Sequence, residues 1–271
     1  MTLGRESLAA IARELRAAQD EVRVVAPFTS RIPGFDIPAA YEVADLLHRE
    51  NIRAGAHPVG RKLGFTNPGM WATYGVTQPI WAYMYDTTVH DLRDGTPWSL
   101  AKFVDPKIEP EIILHFCKPP SSTDPAAILE CIDWIAHGFE IVQSRYPGWK
   151  FAGADAVAAA SLHGMLLVGE RHSVESLGPG ITRDLAAFNI SLLRDGAPVA
   201  AGKGTDVLGS PLLAVAHLVA VLKDQPQYVP IQAGEMVTTG TITMAQSMRA
   251  GERWSTALEG IGLAGIHASF D

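Results

Sequence analysis

The chain has 271 residues, of which 47% are hydrophobic, and it carries a formal net charge of -7 with a pI near 5.7. A chain of this size can build one large core, or one domain with an N-terminal extension. Its acidic balance argues against nucleic acid or an anionic membrane as the main partner, because both recruit basic surfaces. The composition favours a role with small molecules.

The first third of the chain has a helical pattern. Apolar residues recur at helical spacing over positions 7–22, and Asp36 followed by Pro38 marks the start of a second helix. After residue 100 the pattern changes to short runs of Ile, Val and Phe separated by turn residues. We therefore expect a helical N-terminal section over residues 1–75 and a strand-rich body over residues 76–271, joined as one continuous unit.

Two helices are expected inside the strand-rich body. One begins at Asp124-Pro125 and extends to Gly138, and the other begins at Ser210-Pro211 and extends to about Leu222. Between them, Asp195-Gly196 separates two apolar stretches, which predicts a hairpin turn.

Several features indicate a soluble cytoplasmic protein without a membrane partner. The only two cysteines, Cys117 and Cys131, lack metal-type spacing, which favours a reducing compartment. The longest apolar run, PLLAVAHLVAVL, has twelve residues and is too short to span a bilayer. The N-terminal stretch is charged throughout, unlike a signal peptide.

Common catalytic motifs do not identify a function for this chain. The chain contains no G-x-S-x-G, H-E-x-x-H or Walker sequence. GIGLAG at 260–265 does match G-x-G-x-x-G, but only six residues follow it. A dinucleotide site needs a helix and a second strand after this motif, so we interpret the match as chance.

The stretch VDPKIEPEIILHF contains the most informative feature, a pair of acids in an apolar run. Glu109 and Glu111 lie two residues apart, so in a strand both side chains face the same side. Glu140, in HGFEIVQSR, is a third acid at the start of another expected apolar strand. An edge strand with one solvated face would explain the pair, whereas a buried pair would repel unless a hard divalent cation such as Mg²⁺ or Mn²⁺ bound it.

Several motifs in the same order resemble one known family. VDPKIEPEI is followed by FEIVQSR, WKF and ADAVA; GRKLGFTNPGMWATYGVTQP precedes them, and VLGSPLLAVAHL, AGEMVTTGTIT and GERWSTALEGIG follow. This succession, over roughly residues 35–270, resembles the fumarylacetoacetate hydrolase superfamily, in its branch of 2-oxopent-4-enoate hydratases and 4-oxalocrotonate decarboxylases. The resemblance implies an α+β fold, a mixed β-roll of the family's C-terminal type with flanking helices behind the helical N-terminal section.

The resemblance also implies roles for individual residues. Glu109, Glu111 and Glu140 match the three carboxylates that bind Mg²⁺ or Mn²⁺ in this branch, and Lys62 matches the active-site lysine of its G-x-K motif. Thr239 and Gly240 match a T-G turn that contacts the substrate in related enzymes. The expected activity is that of a metal-dependent lyase, a decarboxylase or hydratase, on a small unsaturated 2-oxo acid of aromatic-compound catabolism.

Two departures from the family pattern bear on the reaction. Ile80 stands where hydratases usually carry an acid that serves water addition, so decarboxylation is slightly preferred, with Ile80 at the substrate. His163 follows a segment in which the usual A-D-N-A-S is lost. Because carbon–carbon hydrolases elsewhere in the superfamily activate water with a histidine, His163 keeps an alternative open, a hydrolase of acylpyruvate-type substrates.

Two other functional interpretations remain open. The chain could bind a 2-oxo acid without converting it, as a sensor would, or it could serve as an accessory subunit of a partner enzyme. Family analogy implies a homo-oligomer, with a complex between this chain and a partner enzyme as a further possibility.

Overall fold

The computed structural model of the chain describes residues 3–92 and 96–271. Helices and strands alternate irregularly along the described residues, as expected for an α+β protein. The helices are α1 (Arg5–Asp20), α2 (Ile37–Arg53), α3 (Trp71–Tyr74), α4 (Pro125–Leu129), α5 (Gly153–Ala158), α6 (Ile181–Ala187) and α7 (Pro211–Lys223). The strands are β1 (Pro58–Gly64), β2 (Ile80–Tyr85), β3 (Val89–Asp91), β4 (Lys107–Phe116), β5 (Ile132–Val142), β6 (His163–Ser173), β7 (Asn189–Arg194), β8 (Ala197–Lys203), β9 (Met236–Thr238), β10 (Gln246–Ser247), β11 (Arg253–Glu259) and β12 (His267–Ser269).

The described strands form two sheets. The larger has the order β2-β1-β9-β4-β5-β6-β3, with β10 paired to the start of β4, and the smaller has the order β12-β11-β7-β8. The larger sheet is mixed, because β1 is parallel to β9 and β3 is parallel to β6 while its other pairs are antiparallel. Strand β1 lies before residue 76, so the sheet draws on both expected sections of the chain, and their boundary stays a prediction.

The helix starts that the sequence predicts are present. The carboxylate of Asp36 accepts a hydrogen bond from the Ala39 N–H at 3.0 Å, and the hydroxyl of Ser210 accepts one from the Leu213 N–H at 3.1 Å. Each cap is followed by a proline in the first turn, where its missing N–H costs nothing. The segment Gly204–Lys223, which includes α7, is apolar and long enough to cross a membrane, but 61% of an 18-residue window within it is buried inside the fold.

The predicted helix from Asp124 to Gly138 is wrong over most of its length. Its start signal is valid, since Asp124 caps α4, but α4 ends at Leu129 and β5 begins at Ile132. Strand β5 lies between β4 and β6 and is buried almost without interruption, so its sequence lacks the alternation that identifies a strand. Glu140 consequently lies near the end of this strand and not at the start of one.

The Asp195-Gly196 hairpin is confirmed. Both residues have positive φ, 51° and 82°, and they join the antiparallel strands β7 and β8. A two-residue turn with positive φ at both positions twists in the same sense as the strands, which is why Asp-Gly is favoured there.

The central strands bring distant parts of the chain to one face of the sheet. In the β4–β5 pair Glu109 lies directly opposite Glu140, and Glu111 lies opposite Gly138. On the other side of β4, the short strand β9 connects it to β1, where Lys62 is paired with Thr238. Directly paired residues share a face, so Lys62 and the three glutamates face the same side.

Gly60 tests the contact between β1 and β9. A Cβ atom at Gly60 would lie 2.1 Å from the Met236 carbonyl oxygen, so Gly60→Ala must force the two backbones apart. We expect a loss of about 1–3 kcal/mol in the free energy of unfolding, measured by urea denaturation. Gly4→Ala, where nothing lies within 4 Å, is the control and should change it by less than about 1 kcal/mol. Equal effects of the two substitutions would contradict this packing.

Candidate active site

Three carboxylates converge on the sheet face described above. One carboxylate oxygen from each of Glu109, Glu111 and Glu140 lies within 4.8 Å of the others. Glu111 and Glu140 are fully buried, whereas Glu109 is partly exposed to an adjoining cavity. Glu111 Oε1 and Glu140 Oε2 are buried without a hydrogen-bond partner among the described residues. A buried carboxylate oxygen without a donor is costly, so this arrangement leaves room for a further positive group.

The electrostatics of the cluster show the same deficit of positive charge. Burial raises the pKa of Glu109 to about 7, against the opposing charge of Lys62. Burial and the neighbouring Glu140 raise the pKa of Glu111 well above its usual value. Burial also acts on Glu140, but the charge of Lys62 and the hydrogen bond with His163 outweigh it and lower its pKa to about 2. Glu140 is therefore the carboxylate with compensated charge, and the other two are not compensated.

Lys62 is a buried lysine at the centre of this cluster. Its side chain is 4% exposed, and Nζ lies 3.1 Å from Glu140 Oε2, close enough for an ion pair although not aligned as a hydrogen bond. Burial alone would lower the pKa of Lys62, but Glu140, Glu109 and Glu111 together raise it above its usual value. Lys62 is thus held as an ammonium group beside the carboxylates. A surface position, the ordinary expectation for a lysine, is excluded.

His163 contacts the carboxylate of Glu140 and is not among the residues that line the cavity. Its Nδ1 is 2.7 Å from Glu140 Oε1, and its Nε2 is 2.9 Å from the Thr88 hydroxyl. Both ring nitrogens therefore have protein partners, which fix the orientation of the ring and of the Glu140 carboxylate. With both nitrogens engaged, His163 has no free nitrogen directed into the cavity.

The two residues of the T-G turn have different positions. The Gly240 N–H donates to Glu111 Oε2 at 2.8 Å, and Gly240 also lines the cavity. Gly240 has φ of +97°, and a Cβ there would lie 1.9 Å from the Thr66 hydroxyl, so only glycine fits. Thr239 is fully buried, its hydroxyl donates to the Ile112 carbonyl at 3.1 Å, and it does not line the cavity.

A cavity of about 460 Å³ opens beside the carboxylates. Lys62, Glu109, Gly240 and Ile80 line it, so it brings together four of the residues expected from the sequence. Ile80 is 3% exposed and lies opposite Gly64 in the β1–β2 pair, which gives this part of the wall an apolar surface without a group that could orient water. A cavity of this size with a few converging polar groups has the usual form of a small-molecule site.

Two hydroxyl groups at the site, those of Ser161 and Thr238, are not among the residues expected there from the sequence. Ser161 lines the cavity, and its hydroxyl is buried without a hydrogen-bond partner among the described residues. Thr238 pairs with Lys62 in the register, and its buried hydroxyl is likewise unpartnered. No sequence signal marks Ser161, because it belongs to a run of three residues with positive φ, Ala160, Ser161 and Leu162, that nothing in the sequence predicts. Of the two, the Ser161 hydroxyl is beside the cavity and so available to a bound molecule.

Comparison with known proteins gives close matches along nearly the whole chain. The chain is 29% identical over 268 residues to a 2-keto-4-pentenoate hydratase of Burkholderia vietnamiensis (strain G4 / LMG 22486), covering 97% of both chains. It is 28% identical over 264 residues to a 4-oxalocrotonate decarboxylase of Pseudomonas putida, covering 96% of both. The two relatives catalyse different reactions at similar identity, so identity alone does not separate them.

The fold has an equally close match among solved structures. A 4-oxalocrotonate decarboxylase from Pseudomonas putida G7, complexed with magnesium and adipate, superimposes with a TM-score of 0.90 at 28% identity and covers 100% of this chain and 99% of its own. This confirms the mixed β-roll with flanking helices. Residues 80–265 match the model of the fumarylacetoacetate (FAA) hydrolase C-terminal family, and the chain belongs to that family.

Proposed function

We propose that the chain is a metal-dependent lyase acting on a small unsaturated 2-oxo acid of aromatic-compound catabolism, with decarboxylation preferred over hydration. The observation that carries the proposal is the convergence of Glu109, Glu111 and Glu140 on a shared space beside the cavity, which Glu109 lines. The names of the relatives, hydratases and a decarboxylase of unsaturated 2-oxo acids, support the same reaction class.

The three glutamates fit a hard divalent cation such as Mg²⁺ or Mn²⁺. Such ions take carboxylate oxygens. The cluster offers Glu111 Oε1, which is buried without a hydrogen-bond partner among the described residues, and Glu140 Oε2, whose one partner there is the Lys62 ammonium group. When all three carboxylates are ionised, they and the single Lys62 ammonium group leave two negative charges uncompensated, which equals the charge of one such ion. Glu109, Glu111 and Glu140 would hold the ion. When bound, it withdraws electron density from a 2-oxo acid and so eases the breaking of a bond near the ketone.

The protein's own groups account for the remaining requirements of decarboxylation. When the bond to the departing CO₂ breaks, its electron pair moves into the conjugated 2-oxo system, which must then take up a proton. We assign this proton to the Lys62 ammonium group, because it is held beside Glu140. The unpartnered Ser161 hydroxyl can donate to a substrate oxygen. The Gly240 N–H fixes the Glu111 carboxylate.

Ile80 supports decarboxylation over hydration. Addition of water requires a group that orients or deprotonates the nucleophile, and the Ile80 side chain has none. Bond breaking in decarboxylation needs no water, and an apolar wall disfavours the charged carboxylate in the ground state. The position of Ile80 in the cavity wall therefore suits the release of CO₂.

The hydrolase alternative loses its main support. It needs His163 as a base for water, but Glu140 and Thr88 engage both ring nitrogens and the ring is outside the cavity lining. Binding without turnover is also disfavoured, because Lys62 and the three glutamates are all in place. We further propose, from the family resemblance, a cytoplasmic homo-oligomer that acts alone or with a partner enzyme.

The reaction and the role of His163 are tested together. Mass spectrometry of products from an unsaturated 2-oxo diacid should show loss of CO₂ as the main reaction and little gain of water. His163→Asn, whose amide can replace the donor toward Glu140, should keep decarboxylation within about tenfold, and His163→Ala should lose more than His163→Asn.

Two results would contradict this account. The first is a faster cleavage of an acylpyruvate than decarboxylation of the diacid. The second is an equal loss of that cleavage, by a hundredfold or more, in His163→Ala and His163→Asn. Together they would identify His163 as the base of a hydrolase.

Lys62→Ala should reduce kcat much more than it reduces stability. A positioned proton donor commonly contributes on the order of 10²–10⁴ in rate, so we expect a loss in that range, measured with saturating substrate. The matched control is Lys223→Ala, which removes an exposed lysine at the end of α7 and should leave kcat unchanged. A folded Lys62→Ala variant that loses less than about tenfold would show that Lys62 has no role in proton transfer.

A further inference from the structure

Four aromatic rings form one continuous wall of the cavity. Phe65 stacks on Tyr74 with centroids 4.6 Å apart, Tyr74 stacks on Phe151 at 5.2 Å, and Phe151 contacts Trp149 at 6.2 Å. All four line the cavity and are half-buried, so one side of each ring is not fully covered by the protein. We call Phe65, Tyr74, Trp149 and Phe151 the aromatic wall.

Backbone strain supports a role for the aromatic wall beyond packing. Phe65 and Trp149 have positive φ, 56° and 58°, a conformation that aromatic residues rarely adopt. Such strain is costly and persists mainly where function requires it. The indole N–H groups of Trp71 and Trp149 donate to the carbonyls of Phe65 and Asp105, which holds the strained segments in place.

The cavity also exceeds the needs of a short 2-oxo acid. A six-carbon unsaturated 2-oxo diacid has about eleven non-hydrogen atoms, and at no more than the roughly 30 Å³ of a water molecule each, it fills at most about 330 Å³. The cavity is about 460 Å³, so more than a quarter of it remains beyond such a molecule. The aromatic wall borders this cavity, and a planar or branched hydrocarbon group would bury apolar surface against it.

We propose that the substrate carries an apolar substituent, aromatic or branched hydrocarbon, that binds against the aromatic wall. The proposal rests on the proposed function, since it names the part of the substrate beyond the 2-oxo acid group. It concerns binding only, and for decarboxylation the substituent is additional to the carboxylate that leaves as CO₂. A charged group, Lys107, lies against this wall, with its Nζ 3.9 Å from the centre of the Trp149 ring.

Saturated 2-oxo acids provide the test, because they lack the double bond on which the chemistry depends. Dissociation constants of 2-oxopentanoate and 2-oxo-5-phenylpentanoate are measured by calorimetry with Mg²⁺ present. We expect the phenyl compound to bind at least tenfold more tightly. Tyr74→Leu should reduce this advantage to less than about threefold, whereas Tyr74→Phe, which keeps the ring, should preserve it. Phe151→Leu provides a second ring deletion if Tyr74→Leu fails to fold.

The outcomes separate this inference from the proposed function. If 2-oxopentanoate binds and the phenyl compound gains less than threefold, the inference about the substituent is overturned while the proposed function stands. The same holds if 2-oxoadipate binds more tightly than the phenyl compound and Lys107→Met abolishes that preference, because Lys107 would then recognise a second carboxylate. If none of the 2-oxo acids binds with Mg²⁺ present, the proposed function itself fails.

Discussion

The burial of three carboxylates on one face of a sheet is the constraint on which the rest of the structure depends. Glu109, Glu111 and Glu140 converge there beside a single lysine, Lys62. Like charges in a low-dielectric setting repel strongly, and the site must answer that repulsion with protons or with a cation. The raised pKa values of Glu109 and Glu111 favour protonation of these two carboxylates. The buried carboxylate oxygens without a hydrogen-bond partner leave space for a cation.

The surrounding elements hold these charges in position. The antiparallel pairing of β4 and β5 places Glu109 opposite Glu140, and Gly138 leaves no side chain opposite Glu111. Gly240 directs its N–H at Glu111, and the ring of His163 fixes Glu140. Each contact restricts the conformations of a carboxylate side chain before a ligand binds. Preorganised groups of this kind bind a cation or a developing charge without the cost of reorganisation.

The family motifs made much of the fold and site predictable. The E-x-E spacing placed Glu109 and Glu111 on one face, and the Asp-Gly turn and the capped starts of α2 and α7 are where the sequence indicates. The sequence predicts a helix where β5 lies. A strand buried on both faces has no hydrophobic periodicity that distinguishes it from a buried helix. Such a distinction depends on neighbours that are remote in sequence.

Other features of the site depend on three-dimensional contacts that no local pattern encodes. The sequence singled out Thr239, yet the hydroxyl of Thr239 is used by a backbone carbonyl, and Thr238 faces the same side as Lys62. His163 was suggested as a base, but its two hydrogen bonds come from β5 and from the loop before β3. The aromatic wall joins segments that are about eighty residues apart. Side-chain partners across such distances become visible only in the folded chain.

A crystal soaked in Mn²⁺ and measured at the manganese absorption edge tests the central claim most directly. Three converging carboxylates beside a single lysine predict one strong anomalous peak, at roughly 2.0–2.6 Å from an oxygen of each of Glu109, Glu111 and Glu140. A peak bound elsewhere, or fully occupied crystals with no peak between these three residues, would contradict the assignment of a metal centre.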